Sequence, residues 1–178
     1  MELTTKKEIS QDLVVLEVSE SFQMKEILEE VLYVPNKALK PKIVSEIVAF
    51  YQKKSNSPED EIRMLLAVRN GIKLGFVFCQ IDQDYRSYGM RCPTFGWLHA
   101  QNFGVCKKLM TECENFVKTH KFKKLRGPIN YPIKVGGLGF QTEGFAAPMM
   151  SGVAFNDPGS NVLAYLHELG YKTDAKYS

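Results

Sequence analysis

Residues 94–130 constrain the fold of this chain most, because strand, tight polar turn, helix and strand signals follow one another without a break. Residues 94–100 read as a strand. The turn Gln101-Asn102-Phe103-Gly104-Val105-Cys106 then opens a helix over 103–120, whose Val105, Leu109, Met110, Cys113, Phe116 and Val117 recur at helical spacing. Residues 123–126 read as a further strand, closed by Gly127-Pro128. A glycine early in a helix lets backbone come close to a ligand, and the free N–H groups of a first helical turn attract anions, phosphates above all. The turn is therefore the foremost candidate binding site in the sequence.

The flanking segments supply the rest of a sheet and its covering helices. Residues 12–18 form a β-rich first strand. Apolar residues at helical spacing mark helices over 21–33 and 41–54, the second with Pro41 in its first turn. Two apolar runs, 62–68 and 72–81, flank Asn70-Gly71, a strong hairpin signal. Residues 82–93 are polar and irregular. Residues 131–158, rich in glycine and proline, read as a functional loop with a short strand over 149–154; a last helix over 161–169, capped by Ser160 and ended by Gly170, precedes a terminal strand over 171–175. The order β-α-α-β-β-β-α-β-(loop/β)-α-β predicts an α+β fold with a mixed central sheet of six to seven strands and helices on both faces.

At 178 residues and 44% hydrophobic, the chain fits a single domain, 1–178, with a sizeable core. No apolar run approaches the ~20 residues that span a bilayer, and no hydrophobic segment follows the polar N-terminus as in a signal peptide, so a cytoplasmic protein without a membrane partner is expected. Cys79, Cys92, Cys106 and Cys113 contain no Cys-x-x-Cys pair, which points to reduced core thiols and to no metal. The net charge of +3 is too small to imply nucleic acid. Lys107, Lys108, Lys118, Lys121, Lys123, Lys124 and Arg126 do cluster, with Glu112 and Glu114 the only acids among them. A solvated helix face followed by a basic loop is the plainer reading of that cluster, an RNA contact the sharper one.

In element order, and in the strand-turn-helix at Gln101, the chain resembles the GNAT superfamily of acyl-CoA N-acyltransferases, whose pyrophosphate loop reads Gln/Arg-x-x-Gly-x-Gly/Ala. Gln101 and Gly104 match; Cys106 stands where glycine or alanine is usual. Asn70-Gly71-Ile72-Lys73-Leu74-Gly75, Ile81-Asp82, Phe95-Gly96, Arg126-Gly127-Pro128-Ile129-Asn130, Glu143-Gly144-Phe145 and Leu169-Gly170-Tyr171 further resemble a poorly characterised GNAT-like group with a Gly-Pro-x-Asn turn.

The resemblance implies an acyltransferase that uses acetyl-CoA or another acyl-CoA as co-substrate and acylates a small-molecule or peptide amine by direct transfer. A non-catalytic binding module of the same fold is the alternative. The implied cofactor site comprises Leu98, whose main-chain N–H would polarise the thioester carbonyl, and the cradle Gln101, Asn102, Phe103, Gly104, Val105, Cys106 and Lys107. His99 and Glu143 are base candidates, and Tyr131 and Tyr165 are candidates for proton donor or for core packing. At the position where such enzymes often carry an acidic tyrosine this chain has Leu166, with Tyr165 one residue early, about 100° around a helix. Asn130 is expected to make a turn, its side chain bonding nearby backbone. Phe140, Phe145, Met149, Met150 and Phe155 are candidates for an apolar acceptor pocket or for core. An exposed sheet edge would suit a homodimer.

Overall fold

Asn70 and Gly71 both adopt left-handed backbone, φ 52° and 76°, the combination a two-residue hairpin turn requires. The turn sets Arg69 opposite Ile72 and so fixes the register of the two longest strands, β2 (Glu61–Arg69) and β3 (Ile72–Ile81). The computed structural model describes residues 12–144 and 157–176. In chain order the other elements are β1 (Val14–Val18), α1 (Ser21–Val31), α2 (Lys40–Ser55), a small hairpin of β4 (Arg86–Ser87) and β5 (Met90–Arg91), β6 (Thr94–Ala100), α3 (Phe103–Thr119), β7 (Ile129–Asn130), α4 (Ile133–Gly136), β8 (Gly137–Leu138) and α5 (Val162–Glu168).

The main sheet runs β1-β2-β3-β6, every neighbour antiparallel. Because β2 and β3 are apolar on both faces, they divide the interior into two cores. Leu65, Ala67, Val77, Cys79 and Ile81 face α3 and α5. Ile62, Met64, Leu66, Phe76 and Phe78 face α1 and α2. Phe76, Met64 and Val77 are wholly buried, and each such side chain contributes on the order of 1.5–3 kcal/mol of transfer free energy.

The end of this sheet nearest the C-terminus of α2 is pinned by charge. Lys54 Nζ lies 3.1 Å from Asp60 and 2.8 Å from Asp82, all three side chains mostly out of water. Gln83 N–H also donates to Asp60, at 2.9 Å. Burial pushes the Asp60 carboxyl up, but the hydrogen bonds from Gln83, Lys54 and Ser57 outweigh it and leave the group below its ordinary range.

The class of fold agrees with the sequence reading, while several strands differ. Residues 123–126 form one parallel bridge, Arg126 to Thr94, and not a full strand. Residues 171–176 join no sheet among the described residues; instead Tyr171 packs edge-on against Phe95 and its hydroxyl donates to Glu114. The main sheet accordingly has four strands there, with two two-stranded pairs beside it. The glycine-rich segment yields α4 and β8, which its composition had concealed, and the irregular stretch yields the β4–β5 hairpin around Tyr88-Gly89. The expected strand at 149–154, with Phe145, Met149, Met150 and Phe155, lies outside the described residues. No helix among the described residues is long and apolar enough to cross a membrane.

Replacing Lys54 by Met should leave two facing carboxylates buried without their ammonium. We expect a loss of roughly 3 kcal/mol in urea unfolding at pH 7. A loss below 1 kcal/mol would mean that the cluster is solvated and does not pin the strands.

Candidate functional site

The pairing of β6 with the segment after Arg126 starts as a sheet and then comes apart. Phe95 N–H donates to Arg126 O at 2.9 Å, and Arg126 N–H to Pro93 O at 3.1 Å. Two residues further along β6, main chain no longer meets main chain. Trp97 N–H donates instead to the side-chain Oδ1 of Asn130, at 2.6 Å, and the indole Nε1–H donates to Tyr131 O at 2.8 Å. Asn130 thus spans the opening: its Oδ1 accepts from backbone far away in sequence, while its Nδ2 donates to Gly136 O at 3.4 Å, the bond to nearby backbone expected of it.

A bulge makes the opening. Trp97 has φ 51°, in the left-handed region, and the β3 register shifts between Phe76 and Phe78, so Trp97 and Leu98 together oppose Val77. Gln101 N–H points to β3, donating to Leu74 O at 2.9 Å, whereas Phe95 and Trp97 donate away from it. By strand alternation, His99 then faces β3 and the N–H of Leu98 faces the open side. Glycine lets the two limbs approach this closely: a Cβ on Gly96 would clash with Ile129 O, and one on Gly136 with the Trp97 ring.

The turn after β6 follows from its own residues. Asn102 caps α3, its Oδ1 accepting from Val105 N–H at 3.0 Å, and its carbonyl accepts from Cys106 N–H at 3.1 Å. The N–H groups of Phe103 and Gly104 have no acceptor among the described residues. Gly104 is exposed, and a Cβ there would meet only Asn102 Oδ1, at 3.4 Å. Cys106 does not obstruct the turn: it is wholly buried in the α3 core, and burial pushes its thiol up to about 11. Lys107 and Lys108 are exposed on the first turns of the helix.

The candidate proton carriers separate by face. His99 sits on the α1/α2 side, its ring 6.0 Å from that of Phe76. Burial lowers its imidazole below the ordinary range, with the Asp157 carboxylate pulling partly the other way. Asp157 was not foreseen, since nothing in the sequence ties it to the strand. Tyr165 sits on the α3 side, edge-on to Phe103 at 6.0 Å, while Leu166 is buried in the core. Glu143 is exposed on its loop, and no hydrogen bond among the described residues joins it to His99 or Tyr165. Tyr131 stacks on Phe50, and burial, with smaller contributions from Asp82 and Tyr85, pushes its hydroxyl up to about 12. Of the basic cluster, Arg126 is held by Asp174 at 2.8 Å and by Tyr85 and Ser87. No group of three His, Cys, Asp or Glu poised for a metal ion occurs among the described residues.

The overall fold is similar to that of solved acetyltransferase structures. AAC(6')-Iy, in complex with the bisubstrate analogue CoA-S-monomethyl-acetylneamine, superposes with a TM-score of 0.56 at 10% identity over 94% of this chain and 95% of that one. A predicted acetyltransferase from Clostridium acetobutylicum, with acetyl-CoA, gives 0.55 at 9% identity over 94% and 95%. A proposed acetyl transferase from Pyrococcus furiosus gives 0.55 at 15% identity over 94% and 97%. The chain has the GNAT fold. No family model matches its sequence, and no curated protein does. At identities this low the likeness is one of fold alone.

Two outcomes follow from this geometry. Asn130→Leu should strand the Trp97 N–H and cost roughly 1–3 kcal/mol in urea unfolding followed by the fluorescence of the single tryptophan; an unchanged midpoint would show that the opening does not depend on this bond. His99, with a folded value below its unfolded 6.5, leaves the unfolded chain holding more protons just below that pH, so stability should fall as pH drops from about 6.5 through the lower folded value. His99→Gln should flatten that fall, measured as midpoint against pH between 7 and 5.

Proposed function

We propose that this chain is an acyl-CoA-dependent N-acyltransferase, with acetyl-CoA the first donor to test and an amine the acceptor. The observation that carries the reading is the coincidence, at one end of β6, of an opened strand edge with the free N–H groups of Phe103 and Gly104 at the start of α3. A pyrophosphate at the turn would meet those donors and the positive end of the helix, with Lys107 as a nearby charge. The pantetheine arm would then run into the opening, where the Leu98 N–H polarises the thioester carbonyl. Attack by a neutral amine forms the C–N bond and expels the thiolate as the C–S bond breaks.

The division of the proton carriers supports direct transfer. His99, on the acceptor side, is held neutral by burial and accepts the amine proton; Tyr165, beside Phe103 on the cofactor side, protonates the thiolate. Glu143 is the second base candidate, from its exposed loop. The acetyl-CoA and the bisubstrate analogue in two neighbours of the same fold support the choice of donor.

Leu166 in the core at the usual acid position favours a second reading, a binding module that has kept the fold without the chemistry. It predicts a folded, CoA-binding protein with no turnover over an amine panel, and any robust turnover excludes it. Calorimetric titration with acetyl-CoA and CoA tests the cofactor itself. Gly104→Glu should weaken binding at least tenfold by charge and bulk at the phosphate position, with a melting temperature near wild type because the position is exposed and an added Cβ makes only an ordinary contact, 3.4 Å from Asn102 Oδ1. Absence of heat from the wild-type protein at millimolar ligand would overturn the donor assignment.

A further inference from the structure

Gln80 is out of keeping with its surroundings. Along β3 the same face carries Phe76 and Phe78, yet the next residue on it is an amide, only 6% exposed. Its Nε2 is buried with no hydrogen-bond partner among the described residues. An unpaired buried donor lowers stability, so a fold under no other demand would place an apolar side chain here.

The amide lines a cleft between α2 and β6, on the α1/α2 face, with Phe50, Tyr51, Trp97, Ile129 and Tyr131 around it. Among the described residues no lining side chain is charged. The void inside is about 10 Å³, the room of one water molecule. Its lining includes the stacked rings of Phe50 and Tyr131, centroids 5.0 Å apart and planes 11° from parallel. Both rings are only half-buried, and they come from separate elements, so parting them opens a slot the thickness of a planar ring, whose faces would replace the lost stacking.

We infer that this cleft takes the acyl acceptor, and that the acceptor is a small monoamine on a planar ring bearing an oxygen that accepts a hydrogen bond from Gln80. This deepens the acyltransferase reading and rests on it for the direction of the amine. Gln80 pairs with Thr94, three residues from the bulge at Trp97, or ~10 Å along the strand. An amine at the opening and an oxygen at Gln80 therefore stand at opposite ends of one ring-sized molecule. The uncharged lining favours the neutral amine that attack requires, and it penalises a polycation, which would have to shed water from several charges.

The test titrates tyramine, phenethylamine and spermidine into the wild type and into Gln80→Leu, each with and without CoA, by calorimetry. Tyramine, which carries the ring oxygen, should bind roughly fivefold more tightly than phenethylamine, which lacks it, and spermidine should bind weakest. Gln80→Leu should erase the difference between the two arylamines while raising the melting temperature, the opposite of what loss of a structural amide would do. Equal affinity of the arylamines for the wild type, a preference for spermidine, or a Gln80→Leu variant that melts lower and still discriminates would each overturn the inference. If neither arylamine binds a protein that binds acetyl-CoA, this inference falls and the acyltransferase reading stands. If the arylamines bind as expected and acetyl-CoA does not, the cleft assignment stands and the donor assignment falls.

Discussion

The hydrogen bond from the Trp97 N–H to the Asn130 side chain is the constraint on which the rest of the site depends. A strand that bulges into left-handed backbone at a bulky residue is strained, and a parted pair of strands leaves main-chain donors facing nothing. Asn130 answers the second difficulty at one donor only, and the indole anchored to Tyr131 O holds the bulge in place. By strand alternation the next outward donor is that of Leu98. A site that needs a free main-chain N–H in the middle of a sheet has to be built this way, because ordinary pairing would satisfy every such group.

From that opening the two faces of the sheet acquire different work. The α3 face carries the turn at Gln101, the uncovered first-turn donors and Tyr165 against Phe103. The α1/α2 face carries His99, the uncharged cleft and Gln80. Donor and acceptor would thus approach from opposite sides and meet only at the gap in β6, which keeps a reactive thioester away from bulk water until an amine is in place. The closeness of Gly96 to Ile129 and of Gly136 to the Trp97 ring makes the gap narrow, and the Lys54 cluster holds one end of β2 and β3.

Much of the frame was legible from local chemistry. Asn70-Gly71 declares a hairpin because only left-handed backbone closes it, and α3 declares itself through a polar cap and an apolar stripe. The weaker strands were not legible, since 123–126 and 171–175 have strand-like residues but find one bridge and no ladder among the described residues. Cys106 was legible as a core thiol, and its burial shows why a cysteine at that place in the loop pattern does not obstruct the turn. Asn130 read as a turn residue because its partner, Trp97, is remote in sequence, and Gln80 looked like one more strand position because nothing local distinguishes a buried amide from an exposed one.

By itself the sequence determined the class of fold, the central hairpin and the capped helix start at Asn102, because turn dihedrals, capping and apolar periodicity act between residues a few positions apart. The tertiary structure alone decided where β6 opens, which donors lack an acceptor among the described residues, which face each candidate proton carrier occupies and that an amide with no partner among those residues ends an apolar row. Those features depend on which distant segments come within hydrogen-bond reach, and that is settled only when the two cores pack against the sheet.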